Sequence, residues 1–356
     1  MTARPGIRPS EMESRIVDPL NYPGYAKLID KLPSSLFLSP QWLKVLKATY
    51  DFNPEAIIIA EAGEEAACLP FVRISDPSGK RLCALSFSDY CDPAFTNPRH
   101  ASALFQALAK LDQERAVNIR LLNSPDPDPK LGYKKVKTAA WHGLDLSVGL
   151  ERLQAGLYPT FRSSIQKARR SGLKIRRLEK TELRLFYRLH LTVRKNRHRL
   201  LAQPFSFFAN IWNVFMDSGL GFFLGAFLAD TLVACHCYIP WKNILVFKFG
   251  ASDYKYRQLY GNNLLNWSAI EEAVKSGFAL LDTGLSDQDQ PGLIRYKRHL
   301  GASEKEIRFF RYVPEKYWTS PGWSQALKKI TEAATAKSAP DYVTEQAGNI
   351  FYRFFA

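Results

Sequence analysis

Two stretches of this chain read in the same order, and that repetition constrains the fold more than any other feature of the sequence. In the first, Ser39-Pro40-Gln41 precedes WLKVLKATY, a helix with Ser39 as N-cap and Pro40 in its first turn. AIIIAEA (56–62), a turn at Gly63 and AACLPFV (66–72) read as a hairpin, and RLCALSF (81–87) as a third strand after the Asp76-Pro77-Ser78-Gly79 turn. Helical periodicity covers RHASALFQALAKLDQ (99–113), and AVNIRLLN (116–123) reads as a buried strand. The second stretch has helices in YRLHLTVRKNRH and FSFFANIWNVFMD, a hairpin of GFFLGAFLAD (221–230) and TLVACHCYIP (231–240), and a third strand NILVFKFGAS (243–252). A loop, the helix NLLNWSAIEEAVKSG (263–277) and the strand FALLDTG (278–284) complete it. Ile57 to Ile119 spans 62 residues and Phe222 to Leu280 spans 58.

A repeated unit of helix, three antiparallel strands, helix and strand predicts an α+β fold, each half a mixed, mainly antiparallel sheet flanked by helices. Four segments follow: an N-terminal extension over 1–34, disordered to about residue 15, a first domain over 35–150, a second over 151–312 and a helical tail over 313–356. The join is expected near 140–160, leading into the basic helix PTFRSSIQKARRSG, which ends at Gly172. In the tail, PGWSQALKKITEAATAKSAP and YVTEQAGNIFYRFFA read as two amphipathic helices that serve as packing or as an interaction tail.

Charge is concentrated rather than spread. Of a net +15, most comes from residues 162–199, where fourteen lysines and arginines stand against two glutamates. Such a segment implies an anionic partner: a phosphate, a nucleic acid or an acidic membrane surface. Arg162, Lys167 and Arg169–Arg170 fall partly on one helical face at three- and four-residue spacing, and Arg194 and Arg197 share a face of the next helix. Arg162, Lys167, Arg194 and Arg197 are the candidates for binding an anionic substrate.

The five cysteines are an odd number in a large chain, which argues for free thiols and a cytoplasmic location. Cys235-His236-Cys237 sits on a strand, so its two thiols share one face and the imidazole the other; no metal site is expected. The longest weakly charged stretch, Leu200–Ala229, is broken by Pro204 and Asp217-Ser218-Gly219 into pieces too short to span a bilayer. The N-terminus has no apolar run of the secretory kind.

The most specific local signal is Gln258-Leu259-Tyr260-Gly261-Asn262-Asn263, between a strand and a helix. A glycine at a helix start lets a ligand approach the backbone, and the free N–H groups of the first turn favour a phosphate. Lys255 and Arg257 add charge. Because the loop follows the third strand of a meander and the glycine patterns of dinucleotide and P-loop sites are absent, neither of those folds applies. No G-x-S-x-G elbow is present for hydrolase chemistry.

This order of elements resembles the GNAT acyltransferase core, in which a Q/R-x-x-G-x-G/A loop binds the pyrophosphate of acyl-coenzyme A. Gln258, Gly261 and Asn263 stand in that pattern, Asn263 replacing the last small residue. The tandem arrangement is similar to the FemAB-like proteins, in the branch of BioF2-like or CelD-like acetyltransferases. FRSSIQKARRSG (161–172), LTVRKNR (191–197), LLDTG (280–284) and YKRHLG (296–301) carry the likeness, which covers residues 35 to 312. It implies an N-acyltransferase that moves an acyl group from acyl-CoA, such as acetyl-CoA, to an amine, with no metal. Arg257, Gln258, Gly261, Asn262 and Asn263 are then the donor-binding residues. Backbone N–H groups near Phe249-Gly250-Ala251 and Leu281-Asp282-Thr283 meet the acyl carbonyl. Lys297 supplies positive charge, Asp282 orients or deprotonates the amine or caps the Thr283-Gly284 turn, and Tyr254 is the candidate general acid, with Tyr256 and Tyr260 beside it. The acceptor is expected to be anionic, either a small molecule or an amine linked to a glycan or lipid in envelope or polysaccharide biosynthesis, with peripheral membrane contact.

Besides a protein with a degenerate site serving in polysaccharide or envelope assembly, two other functions stay open on sequence. One is aminoacyl-tRNA-dependent transfer of the FemAB type; no long heptad run marks the coiled-coil arm of such members. The other is a non-enzymatic nucleic-acid binder using 162–199, although no helix-turn-helix, zinc finger or RNP motif is present. The first half lacks the glycine loop and is expected to be non-catalytic or to bind the acceptor.

Overall fold

The computed structural model describes residues 12–318 and 320–356. Thirteen strands form one sheet. The first half contributes β1 (Met12–Val17), β2 (Pro54–Glu61), β3 (Glu64–Asp76), β4 (Gly79–Cys83), β5 (Ala94–Phe95), β6 (Ala116–Leu121) and β7 (Lys134–Asp145). The second contributes β8 (Lys174–Arg177), β9 (Phe222–Leu228), β10 (Thr231–Trp241), β11 (Ile244–Ser252), β12 (Leu280–Asp287) and β13 (Ser303–Tyr312). The helices are α1 (Pro23–Lys31), α2 (Pro40–Tyr50), α3 (Pro98–Lys110), α4 (Leu150–Gly156), α5 (Pro159–Arg170), α6 (Leu183–Thr192), α7 (Phe205–Ile211), α8 (Gly261–Lys275), α9 (Pro291–His299), α10 (Pro321–Ala334) and α11 (Asp341–Phe351).

The repeat is real and extends to hydrogen-bonding pattern. In the first half β2-β3-β4 is an antiparallel meander whose third strand pairs in parallel with β6, through Arg81–Cys83 and Ala116–Asn118. In the second, β9-β10-β11 is the meander and β11 pairs in parallel with β12, through Ile244–Val246 and Leu280–Asp282. Both parallel pairings stop after three residues; in the second half β11 and β12 both run on and splay, whereas in the first β4 itself ends at Cys83. The hairpin turns follow from local chemistry: Ala62 and Gly63 both take positive φ, the mirror-image turn that matches strand twist. Ser39 caps α2 by accepting from the Trp42 N–H at 3.1 Å.

What the sequence did not show is how the halves join. The sheet order is β1-β2-β3-β4-β6-β13-β7-β12-β11-β10-β9-β8, with β5 on β3. β13, from the end of the second half, lies against β6 of the first, and β7 lies against β12 of the second. Each half therefore donates a strand to the other's edge, and the sheet has no break between them.

Four readings need correction. Residues 12–15 are part of β1, which pairs with β2 from Met12↔Glu61 to Val17↔Ala56; residues 1–11 lie outside the described residues. The third strand of the first half ends at Cys83 rather than running to 87, because Leu85 and Phe87 adopt positive φ and turn the chain out of the ladder. The segment read as a join from 140 instead carries the central strand β7 through Asp145. The helices read over 187–198 and 205–217 each end in a π-helical stretch, Val193–His198 and Trp212–Met216.

The tail forms two helices, as read, and packs. At Gly348 a Cβ would lie 2.4 Å from the Ala202 carbonyl oxygen, so α11 seats its backbone on the loop before α7. Tyr352 then reaches an aromatic group with Tyr50 and Phe87. All five cysteines are free and buried. Among the described residues, no helix is long and apolar enough to cross a membrane.

Candidate functional site

At the head of α8 a cavity of about 570 Å³ opens. Its walls come from the start of α8, the 3₁₀ turn Tyr254–Leu259, the strands β10 and β11, the π-helical end of α6, and Tyr296 of α9. Tyr260 takes a left-handed conformation (φ 54°) that turns the chain into the helix. At Gly261 a Cβ would meet Ala234 Cβ at 3.3 Å and Ala226 Cβ at 3.6 Å, so the helix start lies tight on β9 and β10. The Asn263 and Leu264 N–H groups donate to the Tyr260 carbonyl at 3.0 and 3.2 Å, which leaves those of Gly261 and Asn262 at the positive dipole end without a partner inside the helix.

A buried polar network fixes this turn. Asn262 Nδ2 donates to Ser252 Oγ at 2.9 Å, and its Oδ1 accepts from His236 Nε2 at 3.1 Å. Tyr238 OH lies 3.0 Å from His236 Nδ1, and Asn266 Nδ2 donates to Tyr296 OH at 2.9 Å and to the Asn262 carbonyl. Burial lowers the His236 pKa to about 4, with the Asn262 hydrogen bond opposing, so the ring is neutral at physiological pH. His236 thus faces α8, while Cys235 and Cys237 face the core on the other side of the sheet, the alternation a strand requires.

Beyond the cavity lies the splay between β11 and β12. The register of β12 on β7 slips between Asp282 and Leu285, leaving a bulge at Thr283-Gly284. Asp282 is 1% exposed and accepts from Tyr90 OH at 2.9 Å, Trp141 Nε1 at 2.7 Å and the Gly284 N–H at 2.8 Å. Burial, with nearby Asp89, raises its pKa to about 6 against the pull of those donors. Lys297 is 4% exposed and donates to the carbonyls of Gly284 (2.9 Å) and Leu285 (3.2 Å). Burial lowers its pKa to about 8, Asp89 and Asp282 opposing. Lys248 of β11 is also buried, and its ammonium lies 2.6 Å from Asp89 and near the rings of Phe37, Trp42 and Phe249.

The residues singled out in the sequence divide accordingly. Arg257, Gly261, Asn262, Asn263, Tyr254 and Arg197 line the cavity, whereas Gln258 is exposed and lies off its wall. Tyr254 is 71% exposed, with the Arg257 guanidinium 4.2 Å from its ring. Lys167 lies over the ring of Tyr260. Arg162 spends its guanidinium on the carbonyls of Gln154 and Ala155, and Arg194 on that of Leu201. Much of the basic excess is also paired, in Arg169–Glu271, Arg176–Glu182, Arg177–Glu272, Lys180–Asp217, Arg184–Glu345 and Lys195–Asp341. Sequence reading missed Asp89, Tyr90, Trp141 and Lys248. Their signal was weak: charged or aromatic residues in a loop or on strands, meaningful only once the halves meet.

Comparison with known proteins agrees with this geometry. Residues 159–298 match the family model of the GNAT acetyltransferase domain. No curated protein matches the chain by sequence. Among solved structures, FemX superposes with a TM-score of 0.65 at 13% identity, over 85% of this chain and 97% of that one. A tandem GNAT protein from the clavulanic acid biosynthesis pathway gives 0.57 at 13% identity, over 85% and 98%. The C-terminal domain of a putative lysylphosphatidylglycerol synthetase from Agrobacterium fabrum gives 0.51 at 12% identity, over 88% and 96%. At such identities the likeness is one of fold, and that fold is the tandem GNAT arrangement.

Proposed function

We propose, from the match of residues 159–298 to the GNAT acetyltransferase domain and from the tandem fold shared with FemX and a tandem GNAT protein, that the protein transfers an acyl group from acyl-coenzyme A to an amine. The observation that carries this reading is the cavity at the head of α8, where Gly261 and Asn262 of the first turn, Arg197 and Arg257 line one space of about 570 Å³. That set suits a diphosphate: helix N-terminal donors for the oxygens and guanidinium groups for charge. Tyr254, Tyr256, Tyr260 and Tyr296 on the same walls suit the apolar and ring portions of the donor. Coenzyme A supplies the thioester whose carbonyl carbon the amine attacks.

The chain's own groups divide the remaining work. Lys297, buried and mainly protonated at neutral pH, supplies positive charge beside the splay, where oxyanion character develops. Asp282, with three donors on its carboxylate, acts by holding the Thr283-Gly284 bulge and leaves proton removal to another group. Tyr254 is exposed, and its place in this reading is the cavity wall. Arg197 and Lys167 give the acceptor or donor an anion contact at the rim. Free buried cysteines fit a reducing cytoplasm. The acceptor in this reading is a glycan- or lipid-linked amine, and the name of one fold neighbour, a putative lysylphosphatidylglycerol synthetase, supports a lipid-linked acceptor.

Calorimetry with acetyl-CoA tests the donor. The wild type is expected to bind at micromolar Kd, and Arg197→Ala/Arg257→Ala to bind at least tenfold more weakly, the loss of about 1.4 kcal/mol for two charge-assisted contacts being a lower bound. A wild type that binds no acetyl-CoA sinks the reading and leaves aminoacyl-tRNA transfer, which steep salt dependence of tRNA binding would mark.

A further inference from the structure

The peptide Gly284-Leu285 lies where β12 has left β11, so its polar groups have lost a strand to pair with. Charged side chains take their place, Asp282 and Lys297 buried and Asp89 partly so. The Gly284 N–H donates to Asp282 Oδ1 at 2.8 Å and the Leu285 N–H to Asp89 Oδ2 at 3.4 Å, while both carbonyls accept from Lys297. Asp89 does more than close this set. Its Oδ1 accepts from Lys248 of β11 at 2.6 Å, so one carboxylate bridges the two splayed strands. Asp89 also belongs to the other half of the molecule, in the loop after β4.

That loop is built for the task. Leu85 and Phe87 at positive φ turn it out of the first half's ladder. Ser88 is pinned twice, its hydroxyl accepting from Trp42 Nε1 at 2.9 Å and its carbonyl from Arg120 at 2.8 Å. Asp89 and Tyr90 then project into the second half, Tyr90 OH reaching Asp282. The receiving side is shaped to match: a Cβ at Gly284, which has φ +72°, would lie 2.5 Å from Asp89 Oδ2. Only glycine admits the carboxylate there.

We infer that the reaction centre is shared between the halves: Asp89 and Tyr90 are positioning residues, Asp89 acting as the strut that holds the β11–β12 splay open and Tyr90 fixing Asp282 behind it. This rests on the proposed acyl transfer for its purpose, but the strut itself is a property of the folded chain. It gives the first half, which lacks a glycine loop of its own, a reason to be fused to the second. It also balances charge, with two carboxylates (Asp89, Asp282) set against two ammonium groups (Lys248, Lys297) in a buried space. On the β7 side Lys297 faces His142, whose pKa is lowered by burial and then by Lys297, while Glu304, paired with His142 and Arg298, opposes the shift.

The test reads Lys297 and Asp282 directly. Full-length protein labelled with [13Cε]lysine gives a Lys297 resonance identified by its loss in Lys297→Arg, and its midpoint is followed with pH. In Asp89→Asn the removal of a carboxylate lowers that midpoint by about half a unit or more, a threefold change in the protonation constant, and Asp89→Glu restores it in part. In Tyr90→Phe, labelled at the aspartate carboxyl carbons, the Asp282 midpoint rises because a donor to its ionised form is gone. Unmoved midpoints in variants with wild-type melting overturn the inference. If Asp89→Asn does not fold, the Tyr90→Phe arm decides. Acetyl-CoA calorimetry on the same samples separates the two claims: shifted midpoints without any acetyl-CoA binding by the wild type keep the strut and sink the donor.

Discussion

Buried residues in the second half have pKa values displaced toward their neutral forms, and that leaves a mark on stability. Asp282 has its pKa raised to about 6, so it contributes stability below its unfolded value near 3.8 and loses that contribution as pH rises through about 6. His236 and His190 are shifted the other way, to about 4 and about 3. They contribute above 6.5, and the contribution is lost as pH falls toward the folded values. Between pH 4 and 6 the unfolded chain therefore binds about two more protons at the histidines, and the folded chain about one more at Asp282. We expect Asp282→Asn to steepen the fall of unfolding free energy with acid by about one proton, roughly 1.4 kcal/mol per pH unit. Urea unfolding at a series of pH values checks it, and parallel slopes would remove Asp282 from the account.

At the scale of elements, the decisive contact is the head of α8 against β9 and β10. The sequence reading chose Gly261 for access by a ligand. The structure adds a packing demand, since the small Ala226 and Ala234 lie beneath it. Gly261→Leu overfills this contact and is expected to cost about 1–3 kcal/mol. Gly292→Ala, near the start of α9 where a Cβ meets nothing within 4 Å, should stay within about half a kcal/mol of the wild type. Urea midpoints compare the two, and equal midpoints would show that the head of α8 has slack. The π-helical end of α6 reaches the same region and brings Asn196 and Arg197 to the cavity.

For the whole molecule, strand exchange sets the behaviour. β13 lies between β6 and β7, and β7 lies between β13 and β12. Removing either half strips the other of a sheet neighbour and exposes a long edge. Thermal unfolding of the full chain is therefore expected as one calorimetric transition, with the van't Hoff enthalpy equal to the calorimetric one. A fragment spanning residues 159–298 alone, which leaves β12 without β7, should be unfolded or aggregated. Two resolved transitions, or a folded fragment, would show that the halves are independent.

The chain's local order was legible from its residues because the code there is short-range. The short apolar runs AIIIAEA and AACLPFV on either side of Gly63 specified a hairpin, Ser39-Pro40 a helix start, and Gly261 with its neighbours a strand-to-helix turn. The repeat followed from comparing such signals at like spacing, and Lys297 and Asp282 came from motifs. What only the tertiary structure decided is the exchange of β7 and β13 and the meeting of Asp89, Tyr90 and Trp141 with Asp282, Lys248 and Lys297. KKVKTAAWHGLD is charged at one end and apolar at the other, so no period announces a central strand. Asp89 and Leu285 are separated by 196 residues. Pairing at that distance depends on which sheet edges find each other, and no local pattern encodes that choice.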